Sequence, residues 1–287
     1  MIIDIHTHTF PEKIAARALA HLQGNSHSQL FADGTEKDLS QKTREAGIDI
    51  SVIVPVATTP KQVEHINDAS ARINEHTRET HLLSLGCMHP DYPDPARELH
   101  RIKEMGLAGI KIHPVYQGVD ICDERFLNIF RICRDLGLLV IAHSGLDIGV
   151  PGVRCSPEMS RRALDAVPGL TLILAHMGGW KNWEDVPRYL SGTGAYVDTA
   201  FSTGEFYPVP GSSWTREECQ MLGPQEFLSL VDALGDSQVL FGTDSPWSDQ
   251  KESLSFINTL PLSQEAREAI LGGNAARLLG LAPSISL

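Results

Sequence analysis

The stretch Ile-Ile-Asp-Ile-His-Thr-His, residues 2–8, places an apolar run directly before two histidines. The run predicts a buried β-strand. Side chains alternate between the two faces of a strand, so His6 and His8 are expected to point the same way at its end. Two imidazoles on one face can bind a divalent metal, but such pairs also occur as ordinary polar residues. The metal hypothesis therefore depends on ligands from later strands.

The pattern of the first strand recurs along the chain. Further short apolar segments follow, separated by stretches of helical periodicity with Pro or Gly at their boundaries. The predicted strands are residues 2–8, 48–56, 82–88, 108–113, 138–143, 170–176, 195–198 and 238–242. This alternation predicts an α/β fold, a (β/α)8 TIM barrel. The alternative, a doubly wound open sheet, usually has a Gly-rich phosphate turn where this chain has its histidine pair.

The length of 287 residues suits a single domain of this class. We expect one domain over residues 1–287, with an irregular insertion rich in Gly, Pro and Ser at about 201–223. An insertion of that length can form a lid or a contact between subunits. A homodimer is therefore left open.

Composition restricts the class of partner. The net charge of −12 argues against nucleic acid, because phosphate binding needs a basic face. No apolar run approaches the length of a membrane span, and the amino terminus lacks the pattern of a signal peptide. Five cysteines without CxxC spacing are typical of reduced thiols. We expect a cytoplasmic protein with a small-molecule substrate.

Residue types that can bind metal or take part in catalysis follow the predicted strands. In TIM barrels the chemistry takes place at the carboxyl ends of the strands. Those ends carry His6 and His8 on the first strand, His89 on the third, Lys111 and His113 on the fourth, His143 on the fifth, His176 on the sixth and Asp244 on the eighth. All except the lysine are metal-ligand types, and a barrel would bring them together. The joint pattern predicts a metal site.

Several motifs resemble those of one family. They are Asp-Ile-His-Thr-His at 4–8, Ala-His-Ser-Gly at 142–145, Ala-His-Met-Gly-Gly at 175–179, Gly-Thr-Asp-Ser-Pro at 242–246 and Asn-Ala-Ala-Arg-Leu-Leu-Gly at 274–280. Together they resemble the amidohydrolase superfamily, and its amidohydrolase 2 branch most closely. That branch includes aminocarboxymuconate semialdehyde decarboxylase, related aromatic-acid decarboxylases and hydrolases. The resemblance extends from the first strand to the last helix, and its motifs are specific to the family but not to one reaction.

The resemblance implies roles for individual residues. His6, His8, His143 and Asp244 would hold one divalent metal, with Zn2+ the first choice, a second metal left open and another divalent ion not excluded. Imidazole and carboxylate ligands suit zinc and leave a position for water. His176 would be the catalytic acid/base residue. Asp244 would both bind metal and accept a proton from the water.

Lys111 has three interpretations. Alternation within residues 109–113 turns Lys111 and His113 toward the barrel interior, where a lysine is costly unless it is paired or modified. It could pair with Asp4 or another inner carboxylate, bind a substrate carboxylate or carbonyl, or be carboxylated and bridge two metals. His113, closer to the barrel mouth, is expected to contact substrate.

The reaction is open between two main hypotheses. The first is a metal-dependent hydrolase that attacks the amide, ester or lactone of a small, carboxylate-bearing substrate with metal-activated water. The alternative is a zinc-dependent non-oxidative decarboxylase, a carboxy-lyase of the aminocarboxymuconate semialdehyde decarboxylase type. A barrel that has lost catalysis is a third hypothesis, and the complete set of histidines and Asp244 argues against it. The hydrolase is the main expectation, because the strand ends carry a complete metal set and a polar fourth strand.

Overall fold

The structure, a computed structural model, describes residues 1–281. Its strands are β1 (Ile3–Thr7), β2 (Ile50–Ile53), β3 (Leu82–Ser84), β4 (Gly86–Cys87), β5 (Gly109–Ile112), β6 (Leu139–Ala142), β7 (Leu172–Leu174), β8 (Tyr196–Asp198) and β9 (Val239–Leu240). They pair in parallel in the orders β1-β2-β3 and β4-β5-β6-β7-β8-β9. Each lies within a predicted strand.

The two groups of strands form one closed barrel. Strands β3 and β4 are two parts of one barrel strand, separated by Leu85. The backbone N–H of Leu85 donates to the carbonyl of Ile53 on β2 at 3.0 Å, so the ladder continues through the break. The barrel closes where the N–H of Ile5 on β1 donates to the carbonyl of Phe241 beside β9, at 2.9 Å. The predicted (β/α)8 fold is confirmed.

The helices surround the barrel. They are α1 (Ala15–Ser26), α2 (Glu36–Glu45), α3 (Val63–Asn74), α4 (Thr77–Thr80), α5 (Pro95–Glu104), α6 (Pro114–Gln117), α7 (Glu124–Leu136), α8 (Pro157–Ala166), α9 (Val186–Leu190), α10 (Arg216–Cys219), α11 (Pro224–Leu234), α12 (Gln250–Thr259), α13 (Gln264–Glu268) and α14 (Asn274–Leu279). Helix α10 lies within the predicted insertion at 201–223, which otherwise contains turns and isolated bridges.

The first helix differs most from the sequence pattern. Pro11 and Gly24 suggest boundaries, yet α1 begins at Ala15 and continues past Gly24 to Ser26. His27 then takes a left-handed conformation with φ 52° and ends the helix. A single glycine lowers helix stability without breaking the helix, so it is a weak stop signal.

Alternation in the strands divides the core into two layers. Ile110 and Ile112 of β5 belong to the layer between strands and helices, whereas Leu139 and Ile141 of the neighbouring β6 belong to the layer inside the barrel. Lys111, between the two isoleucines, therefore faces the barrel interior, and its side chain is fully buried. The predicted inward orientation of Lys111 is confirmed.

Strand β1 contains a bulge that the sequence does not reveal. Asp4 pairs with Ser51, but Thr7 pairs with Ile53, so β1 takes three steps where β2 takes two. A bulge of this kind re-aims the side chains that follow it. The carboxylate of Asp4 accepts a hydrogen bond from the first residue of α12, outside the barrel. The ring of His6, beyond the bulge, instead contacts residues of β5 and β8.

Gly109 is expected to be essential for the packing of β5 against β6. A Cβ atom at Gly109 would lie 2.2 Å from the carbonyl oxygen of Leu139, closer than real Cβ atoms approach. We expect Gly109→Ala to lower the free energy of unfolding by about 3 kcal/mol, measured by urea denaturation. The control is Gly24→Ala in α1, where a Cβ meets nothing within 4 Å. It should raise stability by up to about 1 kcal/mol, and equal stabilities for the two variants would contradict this account.

Candidate metal centre

His6 is prepared for metal binding by Asp198. The Nδ1 atom of His6 lies 2.8 Å from Oδ2 of Asp198, and both side chains are buried. A carboxylate oxygen only accepts, so Nδ1 carries the ring proton and Nε2 is left with a free lone pair. A carboxylate behind a histidine in this way fixes the tautomer that binds metal.

Three ligand atoms converge in front of His6. Its Nε2 lies 3.2 Å from Nε2 of His8 and 3.4 Å from Oδ1 of Asp244, and Nε2 of His8 is 3.1 Å from the same oxygen. Burial lowers the pKa of both histidines and keeps them neutral, which is the form that binds metal. Burial opposes ionisation of Asp244, but the hydrogen bond from His8 and the nearby histidines hold its pKa below the usual value. The donor set fits a divalent ion such as Zn2+.

The backbone of Asp244 determines its position. Its φ of 67° is left-handed, and its N–H donates to the carbonyl of His6 at 2.8 Å. Asp4 supports this contact between the two chain segments, because its Oδ1 accepts from the backbone N–H groups of His6 and Thr243 at 3.2 and 3.0 Å. One carboxylate on the outer side of the barrel therefore connects the chain segments that carry His6 and Asp244.

Lys111 lies directly at the metal centre. Its Nζ is 3.0 Å from Nε2 of His6, so the amine donates to the lone pair that a metal ion would use. Burial lowers the pKa of Lys111 to about 8, although the charges of Asp198 and Asp244 oppose this shift. The suggested pair with Asp4 is wrong, because the hydrogen bonds of that carboxylate go to other groups. Of the other inner carboxylates, Asp198 and Asp244 act on Lys111 through their charges. Substrate binding and carboxylation remain predictions.

His176 and His143 are linked by one proton. The Nδ1 of His176 lies 2.8 Å from the carbonyl of Ala200, and Nε2 of His143 lies 3.0 Å from the carbonyl of Leu146. Each of these nitrogens must carry a proton, because a carbonyl only accepts. The remaining nitrogens, Nε2 of His176 and Nδ1 of His143, are 3.0 Å apart and need a third proton, or another cation, between them.

The hydrogen bond to Leu146 also decides which nitrogen of His143 could bind a metal. Burial lowers the pKa of His143 far below its usual value, so the ring is neutral and carries one proton, on Nε2. Nδ1 is therefore the nitrogen of that ring available to a metal. His143 is not one of the three converging ligand atoms, so its role as a metal ligand remains a prediction.

A second group of side chains does not offer free metal ligands. His113, His143 and Asp147 have ligand atoms within 4.8 Å of one another. However, Nδ1 of His113 accepts from the N–H of Tyr116 at 3.3 Å, so its Nε2 carries a proton. The Nε2 of His143 is also protonated, as its bond to Leu146 shows. The two imidazole nitrogens that face Asp147 therefore present N–H groups, and metal binding there would require both rings to change tautomer.

Two of these carboxylates were missed by the sequence analysis. Asp198 ends the predicted strand 195–198, and the strand-end rule that identified Asp244 also applies to it. Asp147 lies in the loop after β6, four residues beyond His143, and no sequence pattern marks it. The strand-end residue His89 belongs to neither cluster of ligand atoms. Its Nδ1 accepts a hydrogen bond from the N–H of Asp91 in its own loop.

The sequence as a whole identifies the family. The sequence model of the family described as Amidohydrolase matches residues 3–281. The chain belongs to this family. It is an enzyme of the amidohydrolase superfamily, in a branch whose members are metal-dependent. No helix among residues 1–281 combines the length and apolar character needed to cross a bilayer.

Named relatives include decarboxylases. The chain is 24% identical to 2-amino-3-carboxymuconate-6-semialdehyde decarboxylase of Dictyostelium discoideum, over 98% of this chain and 92% of that protein. Its fold is similar to 5-carboxyvanillate decarboxylase of Sphingomonas paucimobilis, with a TM-score of 0.68, 16% identity and coverage of 98% and 99%. It is also similar to a dihydroxybenzoic acid decarboxylase of Polaromonas sp. JS666 with bound manganese, with a TM-score of 0.68, 15% identity and coverage of 100% and 99%.

Asp198→Asn is expected to weaken metal binding. Oδ1 of Asp198 accepts from the N–H groups of His176 and Ala200, at 2.9 and 3.1 Å. An asparagine would keep its oxygen there and direct its NH2 group to Nδ1 of His6. The ring proton would then move to Nε2, the nitrogen that binds metal. We expect a loss of about 10- to 100-fold in Zn2+ affinity, measured by competition with a chromogenic chelator.

The matched control is Glu98→Gln. Glu98 is also a fully buried carboxylate, but it bonds to Asn67 and Arg101, away from the metal centre. Its substitution should leave Zn2+ affinity within about twofold, because distant sites act independently. Unchanged affinity in Asp198→Asn, or an equal loss in both variants, would refute the role assigned to Asp198.

Proposed function

We propose that this protein is a metal-dependent, non-oxidative decarboxylase that acts on a small carboxylic acid. The named relatives support this alternative better than the hydrolase that the sequence analysis favoured. The structural observation that carries the proposal is Lys111, a buried amine 3.0 Å from the metal-binding nitrogen of His6. A buried ammonium needs an anionic partner, and a substrate carboxylate would supply one.

The metal would supply Lewis acidity. A divalent ion held by His6, His8, Asp244 and His143 would polarise a substrate oxygen and stabilise the charge that develops as carbon dioxide leaves. Zn2+ is the ion we propose, with manganese as the comparison ion for tests. The lone pair of His6 cannot bind both the ion and Lys111. With an ion on His6, the Lys111 amine would be free to donate to the substrate carboxylate.

His176 supplies the proton that the reaction requires. In a non-oxidative decarboxylation the bond between the ring or chain carbon and the carboxylate carbon breaks, and its electron pair stays on the former. A proton must then form the new C–H bond. Nδ1 of His176 is held as a donor to Ala200, so Nε2 is the atom that delivers this proton. His6, Lys111 and His176 are each less than 5% exposed, which limits competition from water.

The reaction is tested on a panel of compounds. Purified protein loaded with Zn2+ or Mn2+ is incubated with aromatic and unsaturated carboxylic acids, lactones and amides, and substrate loss and CO2 are measured together. We expect one CO2 for each acid consumed, with C–H replacing the carboxylate in the product. Hydrolysis of a lactone or amide without release of CO2 would overturn the proposal and restore the hydrolase.

His176→Ala separates chemistry from metal binding. We expect this variant to keep its metal and to lose CO2 release by about 100-fold or more, because it lacks the proton donor. His6→Ala should instead lose metal. The control is His100→Ala, since His100 is an exposed residue of α5 that bonds only to its own helix. Metal content is measured by atomic emission, and activity retained in His176→Ala would remove that residue from its role.

Lys111→Met tests the carboxylate anchor. Methionine fills a similar volume without the charge or the hydrogen bond to His6. We expect KM for the acid to rise about tenfold or more, because a charge-assisted hydrogen bond is lost. Zn2+ affinity should stay equal or increase, since the competing amine is gone. A large fall in metal content would show instead that Lys111 is part of the metal site, as the carboxylated form requires.

A further inference from the structure

Residues 202–222, which we call the arm, form one unit at the barrel mouth. The arm follows β8 and folds back on itself in two limbs, 202–206 and 219–222. The backbone N–H of Phe206 donates to the carbonyl of Cys219 at 3.1 Å, and further backbone hydrogen bonds join the same limbs. These bonds lie within the arm, so movement of the arm against the barrel would leave them intact.

The tip of the arm is bonded to the segment that follows α1. Nε1 of Trp214 donates to the carbonyl of Ser26 at 2.8 Å, and the N–H of Val209 donates to the carbonyl of His27 at 2.9 Å. The arm starts after β8 and α1 follows β1, and β9 lies between these two strands in the barrel. The arm therefore crosses the chain just beyond β9, which carries Asp244.

Lys181 provides the second attachment of the arm. It lies in the loop after β7 that begins near His176, and its Nζ donates to the carbonyl groups of Glu218, at 2.9 Å, and of Gln220. The same amine lies 5.6 Å from the centroid of the Trp180 ring, within the range of a cation–π contact. The backbone of Lys181 is left-handed, with φ 58°, a conformation that residues with a Cβ atom disfavour. The bonds to the arm hold this strain, and release of the arm would allow it to relax.

The inner side of the arm covers the metal centre. Phe206 of the arm and Phe201 just before it pack on Trp180, with ring centroids 6.5 and 6.0 Å from that of the tryptophan. Trp247 lies at the edge of the same cluster, and its ring centroid is 5.5 Å from that of His8. The side chain of His8 is only 15% exposed. A metal ion or a substrate can therefore reach the centre from this side only when the cover moves.

A cavity gives the arm room to move. It has a volume of about 620 Å3 and separates the arm from α12. Phe206, Tyr207 and Met221 of the arm line one side, and Ser253 and Phe256 of α12 line the other. Protein interiors are close-packed, so a segment with a space of this size beside it can shift without displacing other groups.

We propose that the arm is a lid over the metal centre and that Lys181 holds it closed. While the amine is bonded to Glu218 and Gln220, the limb 219–222 is fixed to the loop that carries His176. When these bonds break, the limb moves into the cavity and the centre opens. Lys181 touches no reacting atom, so it is a positioning residue that controls the access of metal and substrate. The inference concerns access alone and holds for any reaction at this centre.

The test compares rates of metal exchange with metal affinity. Lys181→Met keeps the length of the side chain and removes the donor. Protein loaded with Zn2+ is mixed with excess chromogenic chelator, and the rates of Zn2+ release and of loading of the metal-free protein are measured by stopped flow. We expect both rates to rise about tenfold, because hydrogen bonds from a charged amine are lost and the lid is open more often. The Zn2+ affinity, from equilibrium competition, should stay within about twofold, since the ligand atoms are the same with the lid open or closed.

Two variants separate a lid from a loss of structure. Lys181→Arg keeps a cation with several N–H donors and should return both rates to within about threefold of the wild type. Trp214→Phe removes the bond to Ser26 at the tip and should raise both rates at unchanged affinity, as Lys181→Met does. The control is Lys251→Met, since Lys251 is an exposed residue of α12 whose amine lies 3.9 Å from Glu45. Its exchange rates should equal those of the wild type.

Unchanged exchange rates in Lys181→Met and Trp214→Phe would overturn the proposal, because the arm would then be a fixed wall. Faster release with a matching loss of Zn2+ affinity, or no recovery in Lys181→Arg, would also overturn it, since Lys181 would then support the ligands and not their access. Failure of every acid to release CO2 would refute the decarboxylase and leave these expectations unchanged.

Discussion

The hydrogen bond between His6 and Asp198 is the contact on which the metal centre depends. Asp198 accepts the Nδ1–H of His6 with one oxygen and the backbone N–H of His176 and of Ala200 with the other. It therefore connects the first strand to the segment that carries His176. Because a buried carboxylate is costly unless it is hydrogen-bonded, these bonds hold the ring of His6 and the backbone of His176 in fixed positions relative to each other.

Backbone carbonyl groups decide the protonation of the other histidines. Ala200 and Leu146 each accept from one ring nitrogen, and this leaves Nε2 of His176 and Nδ1 of His143 to share a proton. The protonation of these two histidines is thus determined by backbone carbonyl groups of loop residues whose side chains give no indication of this role. A change of loop conformation would alter which nitrogen binds metal without changing any ligand residue.

Much of this arrangement could be predicted from sequence, and the rest could not for identifiable reasons. Strand periodicity and Pro or Gly boundaries located the barrel, and the strand-end rule then located His6, His8 and Asp244, because closure brings strand ends together. The bulge in β1 could not be predicted, since one extra residue does not change the apolar pattern of the strand. The position of Asp147 could not be predicted either, because it depends on loop conformation. Lys111 was oriented correctly, but its partner proved to be a histidine and not Asp4.

Lys111 also has a consequence for the assembly of the holoenzyme. Nε2 of His6 and Oδ1 of Asp244 lie 3.4 Å apart, and without a cation their lone pairs would oppose each other. The Lys111 amine, 3.0 Å from the same nitrogen, supplies a hydrogen-bond donor there in the metal-free protein. Metal binding would therefore be an exchange at one nitrogen, in which the ion takes the lone pair that the lysine uses.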